Sequence, residues 1–387
     1  MKQEQVKTDN IDKVIRGLGN ELINKYDIEN TVLCGSNGPY DDNETRIRNL
    51  SHLVIITSIE IIRYGQTQNI EILGRMGEEL LSQKDARGFY KMREKSGKDE
   101  CNGVIGYAWL IEALIYLTKT LKDRQFVEEA GRLAKLHHFN SKMGLWGRPG
   151  YGDDVNALDY TLNHQLWYAA SLCELNKILA DSEIEKELDG FQKNLYANIL
   201  TSKNGRISHS IYRRISCLDS LKCKIKLLID RINEKAERPS MAYKEEGYHL
   251  FNIMALARIY YHYPQWSFFD SDKFDAAMGY INSSHFQKGL LDNEIGLDKS
   301  FVNGISEESE KKVNIYGYPY NVPGFEILYI NKILPCKIEK IVVKECMEKQ
   351  IQLTMDKKLN QFGLMCHDKN TINYRIYEYY RYLEITS

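Results

Sequence analysis

Five glycine turns cut this chain into segments of similar size, and that recurrence restricts the folds open to it more than any other feature. A polar turn with glycine, followed by one or two apolar residues, falls at 85–90, 142–146, 203–207, 287–291 and 360–364, around Gly88, Gly144, Gly205, Gly289 and Gly363. The glycines recur every 55 to 85 residues or so, roughly the room needed by two helices and a functional loop. Between them the apolar residues keep helical spacing over 106–120 and 125–137, then over 158–179 and 184–200. The same periodicity predicts helices over 11–26, 46–64, 71–81, 248–263 and 325–333, and a chain with only 7 prolines has few breakers to oppose them. Sharing 387 residues among six helix pairs gives about 64 each. The expected fold is therefore all-α, an (α/α)6 toroid of six hairpins, with an open helical solenoid as the competing arrangement. No low-complexity tract or linker interrupts the pattern, so 1–387 reads as one domain.

Charge excludes some partners. With 52 basic and 53 acidic residues the chain lacks the positive footprint of a nucleic-acid binder. The first residues are polar and charged, without the apolar core of a signal peptide, and no run of about 18 apolar residues occurs. The expectation is a cytoplasmic protein without a membrane span. The eight cysteines form no C-x-x-C pair and read as reduced thiols. The basic amphipathic stretch 222–237 reads as a solvated outer face. Cys366 and His367 are adjacent, but no second ligand pair accompanies them, so no metal is expected. Phosphate-loop and dinucleotide-turn signatures are absent, so no cofactor is expected either.

Functional residues gather around 156–168. Leu158, Leu162, Leu166 and Ala169 make an apolar stripe, while Asp159, Asn163 and Gln165 interrupt it with polar groups. A helix facing a wet cleft with its first turns explains both, and its N-terminal dipole favours a carboxylate there. The chain also carries 26 Tyr, 4 Trp and 12 Phe, side chains on which the apolar faces of sugars stack. Asp159 heads the acid/base candidates, with His164, His249 and Glu326 as partners. Glu112, Asp153, Asp154, Glu245 and Glu246 are further carboxylates, the last four fitting a solvated surface better. Tyr107, Trp109, Trp146, Tyr248 and Tyr318 are the stacking candidates, and Asn163, Gln165 and Asn252 the amides. Arg148 offers a planar fork for a carboxylate. The aromatic loop 316–324, stiffened by proline, is expected to wall the mouth of a pocket closed at its other end.

Several stretches resemble known sugar enzymes. The run 102–114, with Tyr107-Ala108-Trp109-Leu110-Ile111-Glu112, is similar to inner helices of the six-hairpin superfamily as they occur in N-acylglucosamine 2-epimerases. Residues 159–166 resemble the Asp-x-x-x-Asn-x-x-Leu segment of unsaturated glucuronyl hydrolases, whose aspartate protonates an unsaturated uronic sugar and activates water. That match places the role on Asp159. Leu162-Asn163-His164-Gln165-Leu166-Trp167, 248–252 and 318–326 are similar to a bacterial family found with polysaccharide biosynthesis genes. The resemblance spans 88–330 and implies a toroid acting on a uronic- or amino-sugar saccharide by acid/base catalysis, in the manner of a glycoside hydrolase. A sugar epimerase and a non-catalytic saccharide-binding toroid are the alternatives. Neither a second acidic partner nor the epimerases' two histidines stand in their motif contexts.

Overall fold

A computed structural model describes residues 2–149, 157–213, 225, 241–291 and 313–386. In chain order the helices are α1 (Lys2–Glu29), α2 (Ile47–Tyr64), α3 (Ile70–Ser82), α4 (Ile105–Leu121), α5 (Arg124–Ala134), α6 (Leu162–Leu179) and α7 (Ser182–Asn198). They continue as α8 (Met241–His262), α9 (Asp272–Ile281), α10 (Ser284–Leu291), α11 (Pro323–Ile333), α12 (Lys340–Thr354), α13 (Lys369–Tyr374) and α14 (Tyr377–Ile385). Helices α2, α4, α6, α8, α11 and α14 form an inner ring in which each packs on the next, and α14 packs on α2 to close the circle. The fold is the (α/α)6 toroid that the turn spacing predicts.

Hydrophobic patterning decides which helix is inner. From Ile105 to Leu117 every residue of α4 is buried, as expected of a helix that is apolar all round. Outer helix α5 buries Phe126, Val127, Ala130 and Leu133 and turns Arg124, Gln125 and Glu128 to solvent. Among the described residues no helix is long and apolar enough to cross a membrane.

The two ends of the ring are built differently. Inner helices pass to outer ones at one end through short links, with Gly65, Lys122 and Ala180 in the left-handed conformation at the C-caps of α2, α4 and α6. Outer helices then start from side-chain caps: Asp123 accepts from the Gln125 amide, Asp181 from those of Glu183 and Ile184, and Ser271 from that of Phe274. At the other end long connections enter the inner helices. There the N-cap residues Arg46, Val104, Thr161, Val322 and Ile376 make no side-chain cap bond.

Four of the five glycine turns are hairpins leading out of outer helices. Lys84 pairs with Tyr90, β1 (Phe139–Asn140) with β2 (Leu145–Trp146), Thr201 with Ile207, and β3 (Met355–Asp356) with β4 (Gln361–Phe362). The turn expected at Gly289 is instead helical, within α10, where the missing side chain lets the helix lie against Glu246 of α8. Helix α6 starts at Leu162 rather than at 158, because Leu158 bridges to Gly147 and the Asp159 carboxylate accepts from the Thr161 amide. Asp153, Asp154, 222–237 apart from Ile225, and the polar stretch 292–310 lie outside the described residues.

Candidate active site

The connections entering the inner helices meet around a cleft. Its inner cavity, about 170 Å³, is walled by aromatic rings from two connections, Tyr40 and Tyr320, and from two inner helices, Trp109 and Tyr248, and continues into an outer vestibule of about 630 Å³. Arg93, Lys98, Thr161 and His164 border both spaces, which makes them one cleft. Because α2, α4 and α6 begin here, their positive dipole ends point into it.

Asp159 and His164 are joined by a hydrogen bond on the cleft wall. Two backbone amides and one ring nitrogen converge on the Asp159 carboxylate: Thr161 N at 3.0 Å, Val104 N at 3.1 Å and His164 Nδ1 at 2.7 Å. Burial pushes this carboxyl up, but the His164 charge and these hydrogen bonds outweigh it and hold the group below its ordinary value. An ionised carboxylate only accepts, so Nδ1 of His164 carries the hydrogen, and this contact leaves Nε2 uncommitted. The His164 side chain is 20% exposed where it borders the cleft, against 2% for Asp159. Gly103 makes this packing possible: at φ +64°, a Cβ on it would stand 2.1 Å from the Asp159 Oδ2 and 2.5 Å from the His164 Nδ1. Gln165 fixes the segment from below, its amide bonding Trp146 N, Trp146 O and Asp159 O.

A second histidine, His209, also lines the cavity. Its ring lies 4.9 Å from that of Tyr248, and its Nδ1 has no partner among the described residues. Burial, then the charges of Lys244 and His164, hold it well below the ordinary histidine range and therefore neutral.

Cations dominate the remaining polar lining. Arg48 pairs with Glu44 at 2.9 Å and lies 4.0 Å over the Trp109 ring. Arg93 reaches Asp99 at 2.7 Å and Asn102 at 2.9 Å, and Lys98 binds the buried Asp42 at 2.6 Å. Arg375 donates to the Tyr320 carbonyl and the Asn321 amide oxygen, both at 2.9 Å, and is backed by Glu378 and Glu326. Lys244, on the first turn of α8, has rings around it instead: Tyr40, Tyr316 and Tyr248 at 4.8, 5.8 and 5.9 Å.

Of the residues singled out from the sequence, the structure brings Asp159, His164, Trp109, Arg148, Asn163 and Tyr248 to the cleft. The others lie elsewhere. His249 spends both ring nitrogens, one accepting from the Ile207 amide and one donating to the Ala277 carbonyl, and burial lowers it to about 3. That leaves no nitrogen for catalysis. Glu326 is buried behind Arg375, and burial with repulsion from Glu378 keeps its carboxyl well above the ordinary range. Trp146 is fully buried with its indole on Glu187, Tyr107 bonds the Tyr90 backbone, and Gln165 is the clamp already described. Asn252 and Tyr318 are fully buried away from the lining, and Tyr320 stands at the cavity in place of Tyr318. Cys366 is buried and bonded to the Leu364 carbonyl; among the described residues no group of three metal-ligating side chains forms.

Sequence reasoning missed Tyr40, Asp42, Arg48, Arg93, Lys98, His209, Lys244, Tyr320 and Arg375. Each lies in a connection entering an inner helix or on its first turns, a positional signal that the turn pattern already carried.

No protein-family profile matches the chain. It is 27% identical over 369 residues to archaeal glycosylation protein Q of Haloferax volcanii, covering 90% of this chain and 91% of that protein. Among solved structures it is similar to cellobiose 2-epimerase from Bacillus thermoamylovorans, with a TM-score of 0.56 and 9% identity over 94% of this chain and 100% of the other. It is equally similar to an unsaturated glucuronyl hydrolase specific for heparin, with a TM-score of 0.56 and 10% identity over 97% of each chain. The chain thus has the six-hairpin toroid fold that this epimerase and this hydrolase share.

Proposed function

We propose that this protein is a carbohydrate-active enzyme in which His164 moves the proton and Asp159 holds its ring. The observation that carries the reading is a histidine, fixed by a buried carboxylate, on the wall of a cleft lined with rings and cations. Rings such as Trp109 and Tyr248 suit the faces of a sugar, and Asn37, Asn102, Asn163 and Asn321 suit its hydroxyls. Similarity to the Haloferax volcanii glycosylation protein, and the fold shared with the epimerase and the glucuronyl hydrolase, support a saccharide substrate.

Electrostatics favours epimerisation or isomerisation over hydrolysis. Taking a proton from a sugar carbon beside a carbonyl leaves negative charge on oxygen, which cations and helix N-termini stabilise. Glycoside cleavage passes instead through a positively charged sugar and needs a carboxyl kept protonated as acid. Asp99 and Asp159 are both held below their ordinary values, and Asp42 is engaged by Lys98 and Arg93. Hydrolysis remains the second reading because Asp159 stands where the glucuronyl hydrolase motif has its acid.

Incubation with a panel of neutral and acidic mono- and disaccharides in deuterated water separates these readings. Deuterium at a sugar carbon together with a new epimer, lost in His164→Ala, is the expected result. A new reducing end without carbon-bound deuterium selects hydrolysis, and binding without product selects a non-catalytic toroid. Neither binding nor product across the panel removes the saccharide reading.

A further inference from the structure

The cavity's cations are not all alike. Arg48, Arg93, Lys98 and Arg375 each have a carboxylate within ion-pair distance. Among the described residues Lys244 has none, and its ammonium stands against three tyrosine rings. A half-buried ammonium left with only ring faces loses part of its hydration without gaining a counter-charge. Nearby, the Asn163 Oδ1, 3% exposed as a residue, and the His209 Nδ1 are also without partners on the same cavity. A fixed cation and unpaired polar atoms around one space describe a ligand that brings the missing groups, including one negative charge.

Resting on the saccharide reading above, we propose that Lys244 is the specificity-determining residue of this site and that it pairs with an oxyanion carried by the substrate, a carboxylate or a phosphate. The Tyr40–Tyr248 hydroxyl contact of 2.9 Å joins the first connection to α8 and holds two of the rings that position the ammonium. The titratable groups facing Lys244 are Lys98, with Asp42 behind it, His209, and the phenols of Tyr40, Tyr248 and Tyr316. Burial, then the Lys98 charge, lowers Lys244 to about 8. Binding an anion therefore requires the lysine to keep or regain its proton, and affinity for acidic ligands should fall at alkaline pH while affinity for neutral ones does not.

Isothermal titration of the full chain with glucuronate, glucose 6-phosphate, glucose and inorganic phosphate tests this. The acidic sugars should bind about 10- to 100-fold more tightly than glucose, the worth of a charge-assisted hydrogen bond. Lys244→Met should erase most of that preference by weakening the acidic sugars far more than glucose. Lys244→Arg should keep the preference at about pH 9.5, where the wild type loses it, since a guanidinium stays charged. Glucuronate against glucose 6-phosphate tells which oxyanion the site takes. Inorganic phosphate binding that depends on Lys244, without binding of any sugar, supports the anion subsite and removes the saccharide reading. Acidic sugars binding no better than glucose, or an undiminished preference in Lys244→Met, overturns the proposal.

Discussion

The cleft end of this toroid and its short-link end hold similar charged residues and use them in opposite ways. Toward the short-link end Arg258 and Arg381 grip Glu112, Arg381 reaches Glu174 at 2.9 Å, and Lys119 reaches Glu174 at 2.8 Å. Each of these charges is answered from within the protein. The cations lie near the C-terminal halves of α4, α6 and α8, where carbonyls and dipoles are negative. At the cleft end the inner-helix N-termini lack side-chain caps, and Lys244 has no counter-charge among the described residues. One end closes the ring, and the other leaves its electrostatics to be completed by a ligand.

Four substitutions or conditions test this contrast, taken from the largest expected effect downward. His164→Ala should lower kcat by about 10²- to 10⁴-fold, the usual worth of a positioned proton-transfer group, and leave the melting temperature nearly unchanged. A comparable loss of stability would show that the cleft end is structural after all. Arg381→Leu should do the reverse, costing about 3–5 kcal/mol in denaturant unfolding because Glu112 and Glu174 lose a buried partner. Protein that still folds should retain substrate affinity.

Acid should act on the buried histidines, in the core and on the cleft wall alike, where His209 is also held neutral. Burial holds His249 at about 3 and His137 at about 4, both below the unfolded value near 6.5. Folding therefore favours their neutral forms. Their contribution is intact above about pH 6.5 and is lost as pH falls from there toward their folded values. Melting temperature followed against pH should decline across that window, less steeply in His249→Gln. The smallest expected effect is that of Gly103→Ala, about 1–3 kcal/mol, because the new methyl meets Asp159 and His164 and the backbone is left-handed there. Here activity should fall further than stability does, since the Asp159–His164 contact must shift.

The ring was legible because it is written in the spacing of glycine turns and in helices that are apolar on every side. Helices α9, α10, α13 and α14 were not, since short or aromatic segments such as Tyr377–Ile385 show no aliphatic stripe, and α12 was not because its aliphatic residues spread around the helix instead of lining one face. Within the site, Asp159 and His164 stood out because polar groups interrupted an apolar run. Lys244 did not, because beside Glu245 and Glu246 it reads as one more solvated charge. Only the tertiary structure shows both glutamates turned to Arg206 and the lysine turned to the rings. His249 misled for the complementary reason: a histidine in aromatic company looks the same in sequence whether its nitrogens are free or engaged.

The contact that closes the ring also sets a schedule. Tyr380 bonds Glu60 across 320 residues of chain, and Arg381 bonds Glu112 across 269. Contacts so distant in sequence are the slowest to find one another, because long loops must be ordered before the contact rewards them. Arg375, which forms part of the cavity wall, belongs to the same late segment. During synthesis the cleft therefore remains unfinished until the last inner helix has docked, and after dilution from denaturant, recovery of ligand binding should trail recovery of helix content.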